Sequence, residues 1–260
     1  MLEMIELTPD GDDSFMAPMG MSFGPRLFGG QVAAQSLAAV CRTVRPEHRP
    51  QSLHAYFILA GNPEIPLRLS VERTRDGRSF TTRRVVASQD GAAIFEMSAS
   101  FHAEEDGADW STPVPIEAAD PELLPGFVAP EDRPSATFFE MRPLHKPSGP
   151  FAPPPYWVRS RENVPNDYAT QSCVLAYLSD MGVLAMARPP GAAIPTMASS
   201  LDHAIWFHRR YVPGEWHLFT GAPRSSFGAR GLAVGGLFNR EGVLVATVVQ
   251  EGLFRTPRAT

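Results

Sequence analysis

The sequence predicts an α+β protein made of two similar halves, each a helix followed by an antiparallel sheet. In each half an apolar helical segment precedes four strand-like runs, and a proline-rich stretch separates the two halves. His54-Ala55 lies 36 residues before Asp90-Gly91, and His203-Ala204 lies 38 residues before Glu241-Gly242. The shared order and the matching spacing indicate an internal duplication.

The first half contains an Ala-rich helix at residues 31–40, with apolar positions three and four apart. Four β-branched or aromatic runs follow, at residues 53–59, 67–73, 80–87 and 92–101. Asp90-Gly91 separates the last two runs and predicts a tight hairpin.

In the second half, Asp167 is placed to cap a helix that runs from Tyr168 to about Met186. The strand-like runs are residues 204–208, 216–220, 232–238 and 243–249. A single helix-and-sheet unit leaves sheet edges open, so we expect the two units to pair edge to edge. The same argument predicts a homo-oligomer through the remaining edges.

An acidic, proline-rich segment, residues 104–155, cannot continue a helix or a central strand and is predicted to connect the two halves. Phe138, Phe139 and Met141 are expected to form a strand within it. The predicted domains are residues 1–112 and 136–260, with residues 113–135 as the connector.

Composition excludes several classes of protein. The chain has 260 residues with 43% apolar and 20% charged side chains, as expected for a globular protein with a core. The formal net charge of −5 disfavours nucleic acid as a partner. The first residues are acidic, and no apolar run reaches the roughly 18 residues of a membrane span. We therefore expect a cytoplasmic protein with no signal peptide and no membrane insertion.

The chain contains two cysteines, Cys41 and Cys173, both in Ala/Val/Leu-rich segments. We interpret each as a small buried apolar residue. Because no CxxC pair and no Cys/His cluster occurs, we expect no disulfide, no metal site and no cofactor.

Several motifs in order resemble the acyl-CoA thioesterase II family. They are Phe28-Gly29-Gly30-Gln31-Val32, residues 73–80, residues 83–85, residues 200–209 and residues 242–252. The resemblance implies a tandem (double) hot-dog fold, in which an antiparallel sheet wraps a long helix in each half. It also implies hydrolysis of an acyl-CoA substrate to a free fatty acid and CoA, an activity of fatty acid metabolism.

The resemblance places the family's catalytic positions on Asp180, Ser200 and Gln250. A carboxylate such as Asp180 can act as general base on a water molecule. Strand alternation puts Gln250 on the face of Val248, directed at the helix, where a buried amide needs hydrogen-bond partners. No G-x-S-x-G motif occurs, so Ser200 is expected to hold the water rather than to attack. Direct attack by Asp180, giving a mixed anhydride, is the alternative.

Other polar residues are assigned with less specific reasons. CoA carries phosphates, so Arg78 and Arg230, with Gly231 beside Arg230, are predicted to bind substrate; Arg75 and Arg224 are further candidates. The strand histidines His54, His203 and His208 are interpreted as core or surface residues. Asp202 is interpreted as a structural hydrogen-bond acceptor.

Two other functions are compatible with the sequence. A hot-dog hydratase or dehydratase would need an Asp/His pair at the start of the helix, where Asp167 has no nearby histidine. A non-catalytic acyl-CoA-binding protein would leave the three polar residues Asp180, Ser200 and Gln250 apart in space.

Overall fold

The computed structural model describes residues 1–19, 22–23, 26–128, 137–146, 154–188, 191–192 and 195–255. The helices are α1 (Gly29–Cys41), α2 (Tyr168–Ser179) and α3 (Val183–Met186), with short 3-10 helices at Leu2–Ile5 and Pro121–Leu123. The first-half strands are β1 (Thr8–Pro9), β2 (Ser14–Ala17), β3 (Ser22–Phe23), β4 (Arg26–Leu27), β5 (His48–Phe57), β6 (Leu67–Asp76), β7 (Phe80–Gln89) and β8 (Ala92–Ala103). The later strands are β9 (Phe139–Pro143), β10 (Tyr156–Ser160), β11 (Met197–Ser200), β12 (Asp202–Phe207), β13 (His217–Phe227), β14 (Arg230–Asn239) and β15 (Leu244–Arg255).

A single large antiparallel sheet runs through both halves. Its strand order in the described residues is β1-β2-β6-β7-β8-β5-β12-β15-β14-β13-β10-β9, and β11 also pairs with β15. The halves meet where β5 pairs with β12, with Ala55 opposite His203. The predicted edge-to-edge pairing is therefore found inside one chain.

The two long helices lie against each other inside the curve of the sheet. Residues 30–40 of α1 and 171–179 of α2 are all buried, polar side chains included. A helix buried on every side is surrounded by other elements rather than resting on one surface. The helices are antiparallel, because Asp180 at the end of α2 contacts Gly30 at the start of α1. One hydrophobic core joins both halves.

The predicted second helix ends earlier than expected, and its extension to Met186 is wrong. Helix α2 ends at Ser179, and Asp180 is its C-cap. Gly182 has φ of +88°, a left-handed conformation that ends a helix, and α3 begins at the next residue. The break places Asp180 at a helix terminus instead of within a helix.

The turns follow their sequence signals. Asp90 and Gly91 have φ of 48° and 80°, the positive pair that a tight two-residue hairpin requires. The matching turn of the second half has Gly242 at φ 79°.

The segment between the halves packs against the second half. Its apolar side chains Val114, Ile116, Ala118 and Leu124 contact a cluster of Trp157, Trp216, Leu218 and Phe238. The strand expected around Phe139 is β9, at the edge of the sheet. Residues 129–135 of the predicted connector lie outside the described residues.

Three features of the fold were not predicted. Strand β2 pairs with β6, and β10 pairs with both β9 and β13. Met197–Ser200 is strand β11.

Within the described residues, no helix is both long enough and apolar enough to cross a bilayer.

Candidate active site

Three elements bring Asp180, Ser200 and Gln250 together. Asp180 caps α2, Ser200 ends β11, and Gln250 lies on β15, which pairs with β11 through Ser200 and Gly252. The Gln250 Nε2 donates to Ser200 Oγ at 2.6 Å, and the Gln250 side chain also hydrogen-bonds Asp180. Gln250 is fully buried and Asp180 is 8% exposed. Amide, hydroxyl and carboxylate therefore form one buried cluster.

The carboxylate of Asp180 lies between the ends of two helices. Burial raises its pKa from 3.8 to about 7, although hydrogen bonds from Gln250 and from the Gly30 N–H lower it. The Gly30 N–H donates to Asp180 Oδ2 at 2.8 Å. The first turn of α1 attracts negative charge, whereas the end of α2 repels it. The result is a carboxylate that changes protonation near neutral pH.

Two glycines make room for this carboxylate. A Cβ on Gly29 would lie 2.7 Å from the Phe57 ring and 2.8 Å from Asp180 Oδ2. A Cβ on Gly30 would lie 2.5 Å from the backbone oxygen of Tyr177, where the two helices meet. The Gly29-Gly30 pair thus lets the start of α1 approach the end of α2.

His203 was interpreted from the sequence as a core or surface histidine, and it lies in the core; its contact with Gln250 was not predicted. His203 is fully buried; its Nδ1 lies 2.6 Å from Gln250 Oε1 and its Nε2 lies 2.8 Å from Ser179 Oγ. Burial lowers its pKa from 6.5 to about 4, so the imidazole is neutral at pH 7. Strand alternation was the available signal, because His203 shares a face with the buried Ile205.

A cavity of about 180 Å³ opens beside Ser200 and Gly29. Its wall includes the apolar side chains of Leu27, Val32, Phe57, Ile94 and Phe95, and Arg26 of β4 is a charged residue of the same wall. Ser200 is the member of the polar cluster that lines the cavity; Asp180 and Gln250 are not among the described residues that line it.

The residues predicted to bind substrate lie elsewhere. None of Arg78, Arg230 and Gly231 is among the described residues that line the cavity. Arg78 follows β6, and Arg230 pairs with Glu251 at 3.1 Å. Gly231 and Ser200 are both opposite Gly252, on either side of β15, so they lie about 10 Å apart, two strand spacings.

The remaining polar residues have structural partners. Asp167 accepts from the Thr170 N–H at 2.8 Å and caps α2, as predicted. Asp202 Oδ1 accepts from the Glu251 N–H at 2.7 Å, the predicted structural role. His54 and His208 are exposed, on the opposite sheet face from His203.

A second cavity, of about 210 Å³, lies at the start of α2 and is lined in part by Arg49, Tyr168 and Tyr211. Among the described residues that line it, none belongs to the Asp180 cluster.

Comparisons with known proteins match both halves of the chain to one family. Residues 17–102 match the family model described as the acyl-CoA thioesterase N-terminal domain, and residues 140–253 match the one described as acyl-CoA thioesterase. The chain is 34% identical to acyl-CoA thioesterase 2 of Haemophilus influenzae, over 88% of this chain and 88% of that protein.

Solved structures show the same likeness. The acyl-CoA thioesterase II TesB2 of Mycobacterium marinum is 36% identical, covers 99% of both chains and superposes with a TM-score of 0.85. A protein of Alicyclobacillus acidocaldarius described as having a hot-dog fold is 20% identical, with coverage of 98% and 97% and a TM-score of 0.79. This second likeness is evidence for the hot-dog fold alone.

Proposed function

The chain belongs to the acyl-CoA thioesterase family, and we propose that it hydrolyses acyl-CoA with a water molecule positioned by Asp180, Ser200 and Gln250. The observation that carries the proposal is the buried contact of these three side chains, with Ser200 on the wall of a cavity. A protein that only binds acyl-CoA has no need to bury a carboxylate whose pKa lies near 7. Asp167 is a helix cap, which removes the acid that a hydratase would need at that position.

The reaction needs one proton acceptor and one water. Ionised Asp180 takes a proton from the water while the water oxygen attacks the thioester carbonyl carbon. Ser200 and the Gln250 amide orient that water. When the tetrahedral intermediate collapses, the carbon–sulfur bond breaks and the proton held by Asp180 passes to the leaving thiolate. The products are a free fatty acid and CoA, and Asp180 is ionised again.

The thioester is expected to lie at the mouth of the cavity, with its acyl chain against Val32, Phe57 and Phe95. The N–H of Gly29, in the first turn of α1, has no partner within the helix, and Gly29 lines the cavity. We assign it to the developing oxyanion, since helix N-termini stabilise such charge. Arg26 would then face the phosphates of CoA.

Three broader assignments belong to the same proposal. The matched halves and the β5–β12 pairing support a tandem double hot-dog fold. The family matches lie inside the domains predicted at residues 1–112 and 136–260, joined by 113–135. A homo-oligomer through sheet edges and a cytoplasmic location remain predictions from sequence.

The first test is release of free thiol from acyl-CoA esters of graded chain length, with wild type and Asp180→Asn compared after both are shown to be folded. We expect the variant to lose about two to four orders of magnitude in kcat, the usual contribution of a general base. A wild type that binds CoA esters but hydrolyses none of them would contradict the proposal.

The anhydride alternative predicts a different fate for solvent oxygen. Under single-turnover conditions in ¹⁸O-labelled water, direct hydrolysis puts label only into the fatty acid. Label found on the Asp180 carboxylate would instead indicate attack by that side chain. The measurement is mass spectrometry of the product and of the peptide that contains Asp180.

A further inference from the structure

We propose that His203 is a positioning residue, which holds the Gln250 amide with its nitrogen toward Ser200 and Asp180. The inference rests on the proposed function, because Gln250 matters only if the Asp180 cluster carries out the chemistry. None of the described side-chain contacts of His203 is with a residue that lines the cavity, and the proposal places no contact between His203 and the water. Its side chain acts through Gln250 alone.

The hydrogen bonds determine where the imidazole carries its proton. Gln250 Nε2 donates to Ser200 Oγ, which leaves Gln250 Oε1 facing His203 Nδ1 at 2.6 Å. An oxygen acceptor at this distance requires a proton on Nδ1. The neutral imidazole then has a bare Nε2, which lies 2.8 Å from Ser179 Oγ. The single proton of that hydroxyl has two acceptors at 2.8 Å, Nε2 and the Ala176 carbonyl. From His203 through Gln250 to Ser200 the hydrogen bonds run in one direction.

The opposite tautomer would turn the amide around. With the proton on Nε2, His203 would donate to Ser179 Oγ, and its bare Nδ1 would attract Gln250 Nε2. Gln250 Oε1 would then face Ser200 and the Asp180 carboxylate. Two acceptors in a buried site repel each other, and the carboxylate would lose a hydrogen bond that favours its charged form. The position of one imidazole proton therefore decides whether Gln250 supports or opposes ionised Asp180.

Burial keeps this arrangement fixed. His203 and Gln250 are both 0% exposed, and Ser179 is 2% exposed. Water cannot replace a lost partner easily at such a site, so an unpaired amide would be costly. Ser179 Oγ also lies 2.8 Å from the Ala176 carbonyl, an alternative acceptor when it does not donate to His203.

Few other ionisable groups lie near Asp180 and His203. Helices α1 and α2 contribute no carboxylate, amine, guanidinium or imidazole. The nearby groups on other elements are Tyr156 of β10, Arg26 of β4, Asp202 of β12 and Glu251 of β15. Burial raises the pKa of Tyr156, so it stays neutral, and its hydroxyl donates to the Met181 carbonyl. The acidic limb of the activity profile should therefore report Asp180.

The variants His203→Asn and His203→Leu both branch at Cγ, but only the Asn side chain can form hydrogen bonds. Asn can place an N–H close to the position of Nδ1, whereas Leu cannot donate. We expect His203→Leu to lower kcat by at least about tenfold and to move the acidic limb of kcat/KM upward by about one pH unit. His203→Asn should restore most of kcat and return the limb toward the wild-type position. KM should change little in both, because neither side chain contacts the substrate.

A spectroscopic measurement on the wild type does not depend on how the variants fold. With ¹⁵N-labelled histidine, the His203 signals should show a protonated Nδ1 and a bare Nε2 from pH 6 to 8. A protonated Nε2 would overturn the inference. Wild-type kcat and an unmoved pH limb in folded His203→Leu would also overturn it. Failure of the proposed function would be recognised separately, by an inert wild type or an active Asp180→Asn.

Discussion

Replacing Asp180 by asparagine should stabilise the protein while it removes activity. Burial raises the pKa of Asp180 from 3.8 to about 7, so folding favours its protonated form. Ionising it above pH 7 therefore costs folding free energy. Asparagine carries no charge to bury and can still accept the Gly30 N–H. Active sites commonly trade stability for function in this way.

The magnitude follows from the pKa difference. The pKa difference of about three units corresponds to about 4 kcal/mol of folding free energy at pH values above 7. The asparagine NH₂ would face the Gln250 NH₂, and this lost hydrogen bond costs about 1 kcal/mol. The folded state binds more protons than the unfolded state between the unfolded pKa and about 7, so wild-type stability falls as pH rises through this window. The free energy of unfolding of Asp180→Asn, relative to wild type, should increase by about 2 to 3 kcal/mol between pH 5 and pH 8.

The assay is urea unfolding of wild type and Asp180→Asn at pH 5 and pH 8, with the exposed Asp106→Asn as matched control. The difference between the two free energies of unfolding at each pH cancels the contribution of every group that titrates alike in both proteins. The control should differ little from wild type at either pH. The reasoning is refuted if Asp180→Asn is no more stable than wild type at pH 8, or if its advantage does not grow with pH.

Three further outcomes are expected. The value of kcat/KM should rise with pH around a midpoint of about 7, since only ionised Asp180 accepts a proton; a flat profile from pH 5 to 9 would exclude this base. Gly30→Ala should lower the unfolding midpoint and the activity, because its Cβ would lie 2.5 Å from the Tyr177 carbonyl, whereas Gly107→Ala meets nothing within 4 Å. Arg26→Ala should raise KM for acyl-CoA but not for an acyl-pantetheine that lacks the phosphates; an equal effect on both substrates would place the CoA phosphates elsewhere.

The sequence predicted the elements whose signals are local. Alternation in β15 placed Gln250 on the inner face, and Asp90-Gly91 gave a tight hairpin. The end of α2 could also have been predicted, since Gly182 follows Asp180 at the position where a left-handed glycine stops a helix.

Other features depend on contacts that are distant in sequence. Strand β11 contains alanine and serine, which have weak strand preference, and it forms because β15 is long enough to pair with both β11 and β12. Strand periodicity predicts which face of the sheet carries His203, but it does not predict which residues contact it there. Its partners Gln250 and Ser179 are 47 and 24 residues away, so the network becomes visible only in the folded chain.

The two halves share one order of helix and strands, but among the described residues the polar network lies in the second half. Ala204 pairs with Val249, which puts His203 opposite Gln250. Gln250 lies eight residues after Gly242, and Ala99 lies eight residues after Gly91 in the matching hairpin. Ala99 pairs with Leu53, and both residues are buried and apolar.

The C-terminal ends of α1 and α2 also differ in the residues that cap them. The C-cap of α1 is Arg42, where α2 has Asp180, and its guanidinium donates to the Leu7 carbonyl. The cavity at the start of α2 is lined by other polar residues, among them Gln171, His208 and Glu104, and none of its described lining residues belongs to the Asp180 cluster. An apolar pair costs less free energy at a buried sheet position, because every buried polar group needs a hydrogen-bond partner. The buried polar network of Asp180, His203 and Gln250 lies at the end of the molecule where the Gly29-Gly30 pair leaves room for the carboxylate.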